Sequence, residues 1–128
     1  MNPTREQFEL AAKAAGLTDD RDCTWVEWFE ASGPQEEIQL RVGERWKPWQ
    51  PHIPGVDNAM LAAALKIDQE WTNAYAWASD SGGVHRALDY APEIRARTST
   101  ERRAKAMAWA VFLVAAEIGR TMKENQDA

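Results

Sequence analysis

The chain has 128 residues, 45% apolar and 27% charged, the size and balance of one compact globular domain, which excludes a disordered tail, a collagen-like rod and a disulfide scaffold. Its net charge of −5 argues against long-range attraction to nucleic acid or an anionic membrane. The charge is uneven: residues 1–44 carry only Arg5, Lys13, Arg21 and Arg41 against ten acids, so nearly all the excess acid lies in the first third.

In chain order, Thr4 and Gln7 form a capping box for a helix over residues 4–15, with Phe8, Ala11, Ala12 and Ala15 at helical spacing and Gly16 as its stop. Residues 18–23 read as a polar loop. Residues 24–31 (TWVEWFEA) read as an aromatic strand, residues 32–35 as a turn, and residues 36–42 as a return strand with Ile38, Leu40 and Val42 inward. Residues 43–55 hold Pro48, Pro51 and Pro54 with two glycines. They are expected to form neither strand nor helix, but an ordered loop anchored by Trp46 and Trp49.

Asp57 is a natural N-cap for a short helix over residues 58–66, with Met60, Leu61, Ala64 and Leu65 as its apolar stripe. Residues 67–79 alternate Trp71, Asn73, Tyr75 and Trp77 with smaller side chains and read as one strand, a helical continuation being the alternative. Residues 80–83 are a turn, and residues 84–90 return with Val84, Arg86, Leu88 and Tyr90 on one face. A connector follows at residues 91–97. A second capping box, Thr98 to Glu101, opens a helix over residues 101–124 whose stripe is Met107, Val111, Val114, Ala115, Ile118 and Met122. Arg102, Arg103 and Lys105 load its start with positive charge, the unfavourable end of the helix dipole. The order α-β-β-α-β-β-α predicts a single α+β domain, with an antiparallel sheet built from two hairpins and packed by three helices.

Three segments carry a family resemblance. They are FELAAKAAGL at residues 8–17, Trp49-Gln50-Pro51 followed by Asp57, Leu61, Leu65 and Ile67, and AAEIGRTM at residues 115–122. Together they resemble short phage and prophage proteins with an opening ELAAKAAG helix, a Trp-Asn-Pro element leading into a DALRLAVKL-type helix, and an AAEIGR ending. The chain is also similar to the phage α-β-α sandwich-domain proteins. It departs in the middle, where Gln50 stands for asparagine and residues 52–55 replace an Asp-rich turn. The resemblance implies an accessory phage product acting in the cytoplasm of a bacterial host, and implies no catalytic mechanism.

The residues supply little chemistry. His52 and His85 are the two histidines and Cys23 the one cysteine, so no internal disulfide forms, which suits a reducing cytoplasm. No metal-ligand spacing occurs, and Asp19, Asp20 and Asp22 lack the glycine and distal glutamate of a calcium loop. Cys23 has no histidine–acid context. Ser81-Gly82-Gly83 is a turn rather than a nucleophile elbow. No phosphate-cradling or dinucleotide motif is present. His85, near Asp80 or Asp89, reads as a structural histidine before a base. No signal segment opens the sequence, and the longest apolar stretch, residues 106–116, is about half a membrane span. The expectation is a soluble protein without enzyme activity, cofactor or metal.

Binding fits better. Seven tryptophans are the outlying feature of the composition, and indoles favour core edges and interfaces. Trp28, Trp46 and Trp49, with Glu30, Glu36 and Glu37 as an acidic rim, are the candidate partner contacts. The expected partner is a bacterial host protein or nucleoprotein complex, bound and inhibited by occlusion. An immune complex of the CRISPR–Cas kind is the first to consider, which makes the chain anti-CRISPR-like. The alternative is a small nucleic-acid-binding phage protein. In it, Arg41, Arg45 and Lys47 flank Trp46 and Trp49 for base stacking, and Arg102 and Arg103 belong to a second basic set. The acidic balance weighs against it. The stripe of the last helix either covers the sheet or joins two chains as a homodimer.

Overall fold

In a computed structural model the chain is described over residues 2–72, 75–90 and 100–127. The first helix, α1 (Arg5–Ala14), starts at the expected capping box: Thr4 Oγ1 accepts the Gln7 N–H at 3.1 Å and Gln7 Oε1 accepts the Thr4 N–H at 2.9 Å. Gly16, at φ +78°, turns the chain away, and Leu17 N–H returns to Ala12 O at 2.9 Å. A meander follows, β1 (Cys23–Glu30), β2 (Gly33–Val42) and β3 (Arg45–Pro48), then α2 (Val56–Leu65). A second meander is β4 (Asp68–Thr72), β5 (Tyr75–Ser79) and β6 (Arg86–Tyr90), before α3 (Thr100–Asp127). Over the described residues the fold is α+β with three helices, as expected. Each half gains a third strand, and the strands form two separate antiparallel sheets rather than one.

The extra strands arise where prolines and missing turn signals mislead. The turn at residues 32–35 shrinks to Ala31 and Ser32, because Pro34 and Gln35 already pair with Phe29 and Trp28. Residues 45–48 form β3 despite Pro48. Pro48 stands opposite Gln39, whose backbone groups face β1, so no ladder bond is lost with its missing N–H. The single strand expected over residues 67–79 is two strands paired antiparallel, Trp71 opposite Ala76 and Glu70 opposite Trp77. Asn73 and Ala74, between them in sequence, lie outside the described residues, and neither is a glycine or proline that would have signalled a break.

Two helix expectations also shift. α2 begins one turn's fraction earlier, after Gly55. Asp57 does not cap it, but accepts the Gln50 N–H through Oδ2 at 3.0 Å. Its buried face is Asn58, Leu61 and Ala62, whereas Met60 is 65% exposed and Ala64 is exposed. Asn58 is buried because its amide has two acceptors: Nδ2 donates to Pro51 O at 2.7 Å and to Ala108 O at 2.9 Å, tying the proline loop and α2 to α3. The connector at residues 91–97 and the Thr98 cap lie outside the described residues.

α3 is the spine. Met107, Val111, Val114 and Ala115 are buried as its stripe predicts, and so are Ala106, Ala108, Ala110, Phe112 and Ala116, while Met122 is partly exposed. The stripe is therefore used inside the molecule. One buried cluster joins α1 (Phe8, Ala11, Ala12), the first sheet (Cys23, Ile38), Trp49, α2 (Leu61, Ala62), β5 (Ala78) and α3 (Ala110 to Ala115). Among the described residues no helix is long and apolar enough to cross a membrane.

Candidate interaction surface

Strand periodicity sorts the first sheet into two faces. Cys23 pairs with Leu40 and Trp25 with Ile38. This row turns to the core: Cys23 and Ile38 are buried, Trp25 and Leu40 half-buried. The opposite row holds Thr24, Val26, Trp28 and Glu30 of β1, Gln35, Glu37, Gln39 and Arg41 of β2, and Trp46 and Pro48 of β3. No member of it is buried, so this face is open.

Four of the six residues expected at a partner contact share that open face: Trp28, Glu30, Glu37 and Trp46. Trp28 Nε1 donates to Glu30 Oε1 at 3.0 Å, which satisfies the indole without a buried partner. Trp46 is 40% exposed and lies opposite Arg41. Trp28 lies opposite Gln35, six positions along β2 from Arg41, so the two indoles stand roughly 20 Å apart at the ends of one stripe. The other two are placed elsewhere. Trp49 is 5% exposed, a core residue with its backbone N–H on Ile38 O, and is withdrawn as a contact. Glu36 projects to the core-side row and accepts the Trp25 indole N–H at 3.3 Å.

The sequence reading missed Phe29. It sits beside the β1–β2 turn and is 85% exposed, the largest exposure among the large apolar residues described. Its core-side parity with Trp25 would have hidden it; only the hairpin's projection past the core exposes it. Half-buried Trp28 and Val26 stand on the other face of the same hairpin end, edged by Glu30 and Glu37.

Of the cations in the nucleic-acid alternative, Arg41 stands opposite Trp46 on the open face, its Nε donating to Gly43 O at 3.0 Å, but Arg45 and Lys47 do not join it. Arg45 and Lys47 leave β3 on the face opposite Trp46, because neighbours on a strand point opposite ways. Trp49 offers no ring for stacking. Arg103 places its guanidinium 4.8 Å from the Trp71 ring centroid, on the second sheet, and Arg102 is its neighbour on α3.

Other reactive groups are held as structure. Burial, reinforced by Asp19, Asp22, Asp20 and Glu9, pushes the Cys23 thiol up to about 11, so it stays protonated and poorly nucleophilic at neutral pH. Among the described residues no cluster of histidine, cysteine and carboxylate could hold a metal. His85 pairs with Asp80, as one of the two sequence readings has it: its Nδ1 lies 2.7 Å from Asp80 Oδ2, and its Nε2 lies 2.9 Å from Thr121 Oγ1 on α3. A carboxylate only accepts, so Nδ1 carries the proton. Burial alone would raise the Asp80 carboxyl, but hydrogen bonds from the His85 ring and from backbone N–H groups hold it below its ordinary value. The acid–histidine–hydroxyl order is that of an activated nucleophile. Here the hydroxyl sits within a continuous helix, and the relay clamps the β5–β6 turn to α3.

The chain matches no protein-family model, no curated protein and no solved structure.

Proposed function

We propose that this chain is a non-catalytic binding protein whose contact surface is the open face and hairpin tip of the first sheet. The observation that carries the reading is Phe29, 85% exposed at the end of the hairpin whose open face carries half-buried Trp28. An exposed phenyl ring costs solubility unless a partner covers it, and aromatic rings rimmed by charge are typical anchors of protein interfaces. The partner proposed is a bacterial host protein or nucleoprotein complex, with a CRISPR–Cas-type immune complex as the first to test. The phage origin and the host partner follow the resemblance carried by residues 8–17, 49–67 and 115–122. The mode of action is occlusion, since the groups with reactive potential are engaged as structure.

Capture from host lysate tests it. A Trp28→Ala/Phe29→Ser chain, with unchanged melting temperature, should lose the captured complex, losing roughly 100-fold or more in affinity if both are anchors. Equal capture by wild type and variant would remove this surface from the account. Trp49→Ala is not a useful control, because it opens the core.

A further inference from the structure

The outer edge of β1 adds a directional kind of contact to the apolar tip. Arg41 donates its backbone N–H to Asp22 O at 2.8 Å, and Trp49 donates its own to Ile38 O at 2.9 Å. On β2, therefore, odd-numbered residues turn their backbone groups to β1 and even-numbered ones to β3. The register then sets β1: Thr24, Val26 and Trp28 face Gln39, Glu37 and Gln35, while Trp25, Glu27 and Phe29 turn their N–H and C=O groups outward. Cys23 fits this alternation, since its outward N–H and C=O are taken by Thr18 O and by the Asp20 N–H. β1 is the edge of its sheet, and among the described residues nothing pairs with the outward groups of Trp25, Glu27 and Phe29.

Edges of this kind are normally blunted. β3, at the other edge, is four residues long and ends in Pro48; β4 and β6 have five residues each. β1 has eight and contains no proline. Its neighbourhood is acidic. Asp19, Glu30, Glu36 and Glu37 form no salt bridge among the described residues, whereas Arg5 is already held by Glu9 at 2.6 Å and Glu27 at 3.9 Å. A cleft of about 510 Å³ opens beside the edge, with Leu17, Trp25 and Met122 in its wall and three acids, Glu6, Glu9 and Asp19, against Lys13 and Lys123.

We propose that β1 receives, by strand addition along Trp25, Glu27 and Phe29, an extended segment of the partner protein that bears lysine or arginine at alternate positions. Backbone pairing gives the affinity, and the flanking carboxylates select the charge. The proposal rests on the partner reading of this end of the sheet and says how that end binds.

The test uses the full chain with an octapeptide of alternating valine and lysine, the same peptide with alternate amides N-methylated, and a valine–glutamate octapeptide. Calorimetry should show one site for the valine–lysine peptide, and amide NMR shifts should centre on Trp25, Glu27 and Phe29. Glu27→Pro removes one outward donor without touching the β1–β2 ladder and should weaken binding roughly tenfold, as should N-methylation of the probe. The valine–glutamate peptide should not bind. Equal binding of the N-methylated peptide would show mere charge attraction and overturn the proposal, whatever Glu27→Pro does to folding. Dimerisation of the protein alone that Glu27→Pro abolishes would also overturn it, by giving the edge to a second copy. If no peptide binds while host capture still requires Trp28 and Phe29, strand addition falls and the partner reading stands. If the peptide binds but host capture ignores those residues, the partner reading falls.

Discussion

At the residue scale, His52 shows how a polar side chain is absorbed by an aromatic core. Its ring stands edge-on to Phe8, with centroids 5.0 Å apart, and 6.0 Å from Phe112; its Nδ1 is buried without a hydrogen-bond partner among the described residues. Burial lowers its pKa below the ordinary 6.5, so the native ring is neutral when the unfolded chain has begun to take up a proton. Stability from this site is therefore full above 6.5 and is lost as the pH falls through the lowered native value. His52→Phe should keep the packing, remove the orphaned nitrogen and flatten the loss of urea midpoint between about pH 7.5 and about pH 5. An unchanged slope would mean that another group sets the pH dependence. The aromatic role of His52 was not legible in the sequence, because nothing near Pro51 and Pro54 says which way the loop turns. The same blindness joined Trp46 and Trp49 as equals. They share a loop of prolines, yet strand pairing leaves one half-open and buries the other.

At the element scale, the helices were the most legible part. The capping box at Thr4 and the stripe of α3 both rest on periodicity that local physics enforces. The strand count was less legible, because a period of two runs on in the sequence from β4 into β5 and hides that the two pair antiparallel. What no pattern announced is the closeness of α1 and α3. A Cβ on Gly119 would fall within bonding distance of the Leu10 carbonyl, so the backbones cross there with no room for a side chain. Arg120, the next residue, reaches Glu6 on α1 at 3.4 Å. Gly119→Ala should force the two helices apart and cost roughly 3 kcal/mol or more, a fall of about 10 °C in melting temperature by calorimetry. A fall of only a degree or two would mean that the helices slide past each other at little cost.

At the scale of the whole molecule, the organisation is two helix-plus-meander halves closed by one long helix. The second meander gives its inner alanines, Ala76 and Ala78, to the core, and the first sheet gives the opposite row of Cys23 and Ile38. The first sheet's outward face is left open, and its hairpin projects Trp28 and Phe29 past the core. Four of the six contact residues expected from the sequence meet on that face because strand alternation groups residues of like parity. Trp49 and Glu36 have the other parity or none. Segregated acid in residues 1–44 then surrounds an aromatic tip with negative charge, a surface suited to a basic partner rather than to nucleic acid. Hydroxyl-radical footprinting of the chain alone and in its captured host complex measures this claim most directly. Trp28 and Phe29 should oxidise readily when free and be shielded in the complex, while buried Trp49 reacts slowly in both. A complex that leaves Trp28 and Phe29 as reactive as in the free chain would place the interface elsewhere and contradict the account.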